Sequence, residues 1–142
     1  RPLKLLIVGQ RPGARIRRLA RLPGVTVTGA VPDMRPWYRR ARVAICPIRY
    51  GAGTLNKILE PLAMGLPVVT TSDGCAGMGV RAGRELLVAD APEDQAAAIF
   101  RVLDDPALAA NLSREGRAFV ETRHDWDAIA DRLDGYYRQV AA

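Results

Sequence analysis

Thiols, imidazoles and long apolar runs are scarce in this 142-residue chain, and each scarcity narrows its chemistry. Two cysteines are too few for a disulfide framework. Cys46 lies in an apolar run and Cys75 in a loop, so a reducing cytoplasm is the simpler expectation. The one histidine, His124, stands beside Asp125 outside any metal-ligand spacing. No Ser/His/Asp arrangement is visible either, so no metal and no nucleophilic triad is expected. No apolar run approaches the roughly 20 residues that span a bilayer. Nor does a basic stretch lead into an apolar one as in a secretion signal. The start at Arg1 rather than Met reads as a fragment or a trimmed chain.

What is present suits one soluble globular domain. Hydrophobic residues make up 49% and charged residues 25%, and the length is enough to bury a core. Arginine carries the net charge of +6. Nucleic acid is not the expected partner, because no aromatic interleaving, helix-turn-helix or zinc spacing accompanies the charge. A basic face toward phosphates, toward an anionic membrane surface or toward water stays open.

Strands and helices alternate along the chain. Residues 3–8 read as a strand ended by Gly9, and residues 11–22 as a helix stopped by Pro23-Gly24. Residues 25–28 form a short strand closed by Gly29; a loop follows at Val31-Pro32-Asp33, then a short helix from Pro36 to about Ala41. Residues 43–48 are apolar enough for a buried parallel strand. The helix from Thr54 to about Met64 leads into a strand at 67–71, then a glycine-rich loop at 71–83 holding a short helical turn. A last short strand covers 85–88. Three helices complete the chain, at 92–103, 106–122 and 126–140. Pro92 and Pro106 suit first helical turns, and Asp125 is a candidate cap. The class is α/β, Rossmann-like, with a mostly parallel sheet flanked by helices and a helical C-terminal tail.

Residues 49–67 organise the rest. A strand, a loop with Gly51 and Gly53, a helix and a second strand make one βαβ unit. Ligands of open α/β sheets sit beyond the carboxyl ends of the strands. A glycine loop at a helix N-terminus presents free N–H groups and a positive dipole end to an anion. Thr54 can cap that helix, and Lys57 and Glu60 share one face at i, i+3. A cation for phosphate and a carboxylate for sugar hydroxyls beside a glycine loop are the groups expected of a nucleotide-diphosphate-sugar site. The loop is neither a P-loop, lacking Gly-Lys-Ser/Thr, nor the dinucleotide fingerprint, since Asn56 stands where the third glycine belongs.

Four stretches in order resemble the C-terminal, nucleotide-sugar-binding half of a GT-B glycosyltransferase of the retaining group 1 family. They are Leu6-Ile7-Val8-Gly9; the run from Val25 to Asp33; Gly51-Ala52-Gly53-Thr54-Leu55-Asn56-Lys57-Ile58-Leu59-Glu60; and the run from Ala63 to Thr71. Sugar transferases of exopolysaccharide assembly look most similar. The resemblance implies a single donor-binding domain over residues 1–142, without the N-terminal acceptor domain and the first strand-helix unit. Glu60 matches the second glutamate of the family's Glu-x7-Glu motif, which binds ribose hydroxyls. Gly51, Gly53 and Thr54 match the loop around the diphosphate, and the loop holding Val31 and Asp33 matches the one beside the base. The first motif glutamate falls at Ala52. The missing strand would lie between those at Leu3 and Val43, so either these two pair directly or another chain supplies it.

The candidate nucleotide-sugar site is therefore Gly9, Val31, Asp33, Arg49, Gly51, Gly53, Thr54, Lys57 and Glu60, with no catalytic residue assigned. Each has a plainer role to compete with. Lys57 and Glu60 can pair on a solvated helix, Arg49 can pair with a surface acid, and Asp33 suits a turn. Ser72-Asp73-Gly74 could shape a donor-sugar pocket or only a loop. Trp126 is expected to anchor the last helix, and Trp37 and Tyr38 to pack the short one. Function is expected as donor binding within a retaining transferase, with no cofactor or metal, and this chain alone inactive. Expected partners are the donor, an acceptor domain or second chain, and a peripheral contact at the inner membrane face. The other readings are a non-catalytic GT-B module for protein contacts and half of a nucleotide-sugar 2-epimerase.

Overall fold

A computed structural model describes residues 2–50 and 56–140. It divides into two compact units, Arg1–Arg40 and Ala41–Ala142. The glycine loop expected at Gly51–Gly53 and the cap expected at Thr54 lie outside the described residues.

The first unit contains β1 (Leu5–Val8), α1 (Ala14–Leu19), β2 (Val25–Gly29) and α2 (Arg35–Arg40). β1 and β2 pair in parallel, Leu5 opposite Val25 and Ile7 opposite Val27. The turn into β2 requires glycine: Gly24 has φ +81°, and a Cβ there would lie 2.6 Å from the Leu3 carbonyl oxygen. α1 is shorter than the predicted 11–22. Arg11 takes φ 47°, in the left-handed region, and turns the chain away before Pro12 and Gly13. Beyond Leu19 the coil tightens, with bonds from Ala20 N to Arg17 O and from Leu22 N to Leu19 O. At α2, Asp33 Oδ1 accepts from Arg35 N at 2.9 Å, the turn role foreseen for it. Trp37 is half-buried beneath the Arg40 guanidinium, 5.2 Å from the ring centroid.

The second unit contains β3 (Ala44–Cys46), α3 (Asn56–Ala63), β4 (Val68–Thr70), α4 (Ser72–Cys75), β5 (Leu87–Val88), α5 (Pro92–Asp104), α6 (Pro106–Arg123) and α7 (Trp126–Val140). Its strands run in parallel in the order β3-β4-β5, with Val69 between Ile45 and Leu87. Successive residues of β4 point to opposite faces. Val68 packs with Ile58, Leu62, Leu86 and Phe119, while Val69 packs with Ala98, Val102 and Leu112. Helices thus cover both faces, as buried parallel strands demand. Each fully buried aliphatic side chain contributes about 1.5–3 kcal/mol.

Caps follow the sequence. Asp105 accepts from Leu108 N at 2.9 Å at the start of α6, and Asp125 from Asp127 N at 3.1 Å at the start of α7. Gly65, at φ +68°, ends α3. One expectation changes. Trp126 is 81% exposed and does not anchor α7.

Candidate functional site

The site grows from the carboxyl ends of β3, β4 and β5. Thr70 Oγ1 donates to Cys46 O at 2.9 Å, and Thr71 Oγ1 donates to Ile48 O, tying the end of β4 to the segment after β3. The end of β5 joins from the other side, through Ala89 N to Thr70 O at 2.9 Å. Ser72 N then donates to Asp90 Oδ1 at 2.8 Å, and Ser72 Oγ to Asp90 Oδ2. These bonds to Ser72 hold the Asp90 carboxyl below its ordinary range, so it stays ionised. Thr71 also caps α4, accepting from Gly74 N at 3.1 Å. A side chain at Gly74 would strike the hydroxyl oxygens of Thr70 and Thr71, which is why the turn carries glycine.

These ends border an open cavity of about 400 Å³ lined by Ile48, Arg49, Thr71, Ser72, Asp73 and Asp90. It holds one guanidinium, two carboxylates and two hydroxyls. The cation can meet a phosphate, and the carboxylates and hydroxyls can meet sugar hydroxyls. It opens beyond the carboxyl ends of a parallel sheet, where ligands of such sheets bind.

Of the residues chosen from sequence, Arg49 lines this cavity. Lys57 and Glu60 are exposed on α3, the helix that follows the segment at Arg49. Gly9 and Asp33 belong to the first unit; Gly9 N donates to Gly29 O at 3.2 Å, and Asp33 pairs with Arg35 at 3.0 Å. Arg35 holds the Asp33 carboxyl below its ordinary range. Val31 is half-buried there too. Gly51, Gly53 and Thr54 lie outside the described residues. Sequence reasoning missed Asp90, 18 positions from Ser72. Its only local signal was its place just after a predicted strand.

A smaller hollow of about 200 Å³ lies by α6. Glu85, 4% exposed, lines it and accepts from Arg81 N at 2.6 Å and Arg81 Nη2 at 2.9 Å. Arg84 bridges Glu85 and Glu115. Its two carboxylates are matched by these arginines, so the cluster braces the fold. His124 packs on Phe119 at 5.2 Å, with Nε2 buried and unbonded. Burial, with Arg132 and Arg123 adding to it, lowers its pKa. No cluster of three metal-ligating side chains occurs among the described residues.

Comparison with known proteins gives the family and the fold. A model of the glycosyl transferases group 1 family matches residues 1–105. A D-inositol 3-phosphate glycosyltransferase of Acidothermus cellulolyticus is 35% identical over 98% of this chain and 34% of its own length. The sucrose-phosphate synthase structure from Thermosynechococcus elongatus superposes with TM-score 0.77 and 32% identity, over 96% of this chain and 38% of that one. A glycosyltransferase structure from Rickettsia africae gives TM-score 0.83 at 17% identity, over 99% of this chain and 41% of that one, and so shares the fold. The chain spans about a quarter to a third of the length of the curated relatives it matches. Its α/β architecture, with parallel strands flanked by helices and a helical C-terminal tail, is that of the C-terminal half of GT-B enzymes. By sequence along residues 1–105 and by fold along nearly all its length, the chain belongs to the glycosyl transferases group 1 family.

Proposed function

We propose that this chain is the donor-binding part of a glycosyltransferase that moves a sugar from a nucleotide diphosphate to an acceptor with retention. One observation carries the reading: in a member of this family, the cavity beyond β3, β4 and β5 sets the cation of Arg49 among hydroxyls and carboxylates. Arg49 and Lys57 would supply positive charge to the diphosphate, the N–H groups at Gly51, Gly53 and Thr54 would wrap it, and Glu60 would hold the ribose. As the glycosidic bond breaks, the leaving diphosphate gains charge, and preorganised cations and N–H donors lower that barrier. On this reading no divalent metal is needed.

The acceptor would bind a further domain or another chain, so residues 1–142 alone would bind nucleotide and transfer nothing. A cytoplasmic place with peripheral membrane contact belongs to the same reading. Calorimetric titration with UDP and GDP tests it. Saturable binding to one of them is expected, weakened about tenfold or more by Glu60→Ala or Arg49→Ala, which would remove a charge-assisted bond. A folded chain that binds neither nucleotide, or binds with equal strength in both variants, would overturn the donor site. It would favour a module for protein contacts.

A further inference from the structure

Two carboxylates line the cavity beyond β3, β4 and β5, and they are held differently. Asp90 gives both oxygens to one residue, Oδ1 accepting from Ser72 N at 2.8 Å and Oδ2 from Ser72 Oγ. Asp73, on the same wall, makes no side-chain hydrogen bond or ion pair among the described residues. The guanidinium of Arg49 is likewise unbonded among them. A long side chain without a partner is placed only by the backbone that carries it.

That backbone is pinned by a short series of bonds. Thr70 Oγ1 donates to Cys46 O at 2.9 Å, and Thr71 Oγ1 donates to Ile48 O, the residue before Arg49. Ile48 N closes the turn onto Cys46 O at 2.9 Å. Ser72, next to Thr71, is the residue that Asp90 grips by backbone and side chain at once. Ala89 N, bonded to Thr70 O at 2.9 Å, fixes the chain one residue before Asp90. Asp90, Ser72, Thr71 and Ile48 thus join the end of β5 to Arg49 without a break.

We infer that Asp90 is a positioning residue. By gripping Ser72 it lets Thr71 hold Ile48, and so aims Arg49 at the terminal phosphate of a nucleoside diphosphate. The inference rests on the donor reading above and deepens it. Displacement of a binding group by about 1 Å can cost a hundredfold, so a grip of this kind matters without touching the ligand. A carboxylate that merely lined the wall would act with the opposite sign. It would repel the phosphates, and its removal would tighten their binding.

Calorimetric titration of the whole chain with UDP, UMP, GDP and GMP tests it, with thermal midpoints taken on the same samples. Asp90→Ala should weaken the diphosphate that binds by about tenfold, as expected when Arg49 loses a charge-assisted bond. It should weaken the matching monophosphate far less. Asp90→Asn keeps an acceptor for Ser72 N and offers an N–H to Ser72 Oγ, so it should hold or exceed the original affinity. Asp73→Ala removes the same charge from the same wall and should not weaken the diphosphate. In an Arg49→Ala background, Asp90→Ala should add less than about a twofold loss, because the two act through one contact. Unchanged or tighter diphosphate binding in Asp90→Ala would overturn the inference. So would equal losses for diphosphate and monophosphate, as large a loss in Asp90→Asn or Asp73→Ala, or full additivity with Arg49→Ala. A folded chain that binds neither UDP nor GDP removes the donor reading and this inference with it, whereas nucleotide binding indifferent to Asp90 removes the inference alone.

Discussion

Pro61 lies inside α3 and has no N–H to give the carbonyl of Lys57 four residues earlier. The thiol of Cys46, on β3, stands in: Sγ donates to Lys57 O at 3.0 Å. Burial pushes that thiol up to about 11, so it keeps its proton and remains a donor. Cys46→Ala should therefore cost about 1–3 kcal/mol by leaving a carbonyl unmatched. Cys46→Ser, which keeps a donor, should cost less; urea unfolding at pH 7 compares them. The pH dependence has a definite sign. The folded state holds this proton above the ordinary thiol value of 9.0, so its contribution is present below pH 9 and falls away between about pH 9 and 11. Cys46→Ser should show a shallower decline across that window, and an unchanged slope would sink the argument. The burial of Cys46 was legible from its apolar run. Its bond to Lys57 was not, because the gap that Pro61 leaves is filled from another element.

α3 and α6 meet at a position without a side chain. A Cβ at Gly116 would lie 2.6 Å from Leu62 Cδ2 and 2.9 Å from the Glu85 carbonyl oxygen. Gly116→Ala should push α6 outward and cost about 1–3 kcal/mol, read as a fall in the thermal midpoint. If the midpoint holds, the close approach is not needed for stability. α7 presents a different case. Its cap at Asp125 is in place, yet it buries no residue. Asp125→Ala should therefore fray α7 by about 1 kcal/mol, seen as faster amide exchange in its first turn, with little change in the midpoint of the core. Periodicity and caps announced α7 with the bounds 126–140. They could not tell whether its apolar side meets anything, which is why Trp126 was misjudged.

Across the whole molecule, stability is unevenly placed. Every buried apolar side chain among the described residues, from Cys46 to Phe119, belongs to the second unit. Amides of β4 should accordingly exchange near the global unfolding limit, and those of β1 and β2 much faster. Equal protection in the two ladders would contradict this division.

The alternation of strands and helices, the prolines and acids at helix starts and the apolar run at β4 were readable because they act over a few neighbouring residues. They determined the α/β class, and with the ordered family motifs they singled out residues 49–67, from Arg49 through Glu60, as the candidate nucleotide-sugar site. Which groups share the cavity was decided by strand register. Pairing Val69 with Leu87 and Thr70 with Val88 carries Asp90 to Ser72, and the end of β3 carries Arg49 beside them. Such register follows from packing side chains far apart in sequence. Tertiary structure therefore decided the lining of the site, the thiol that serves α3 and the concentration of the core in one unit.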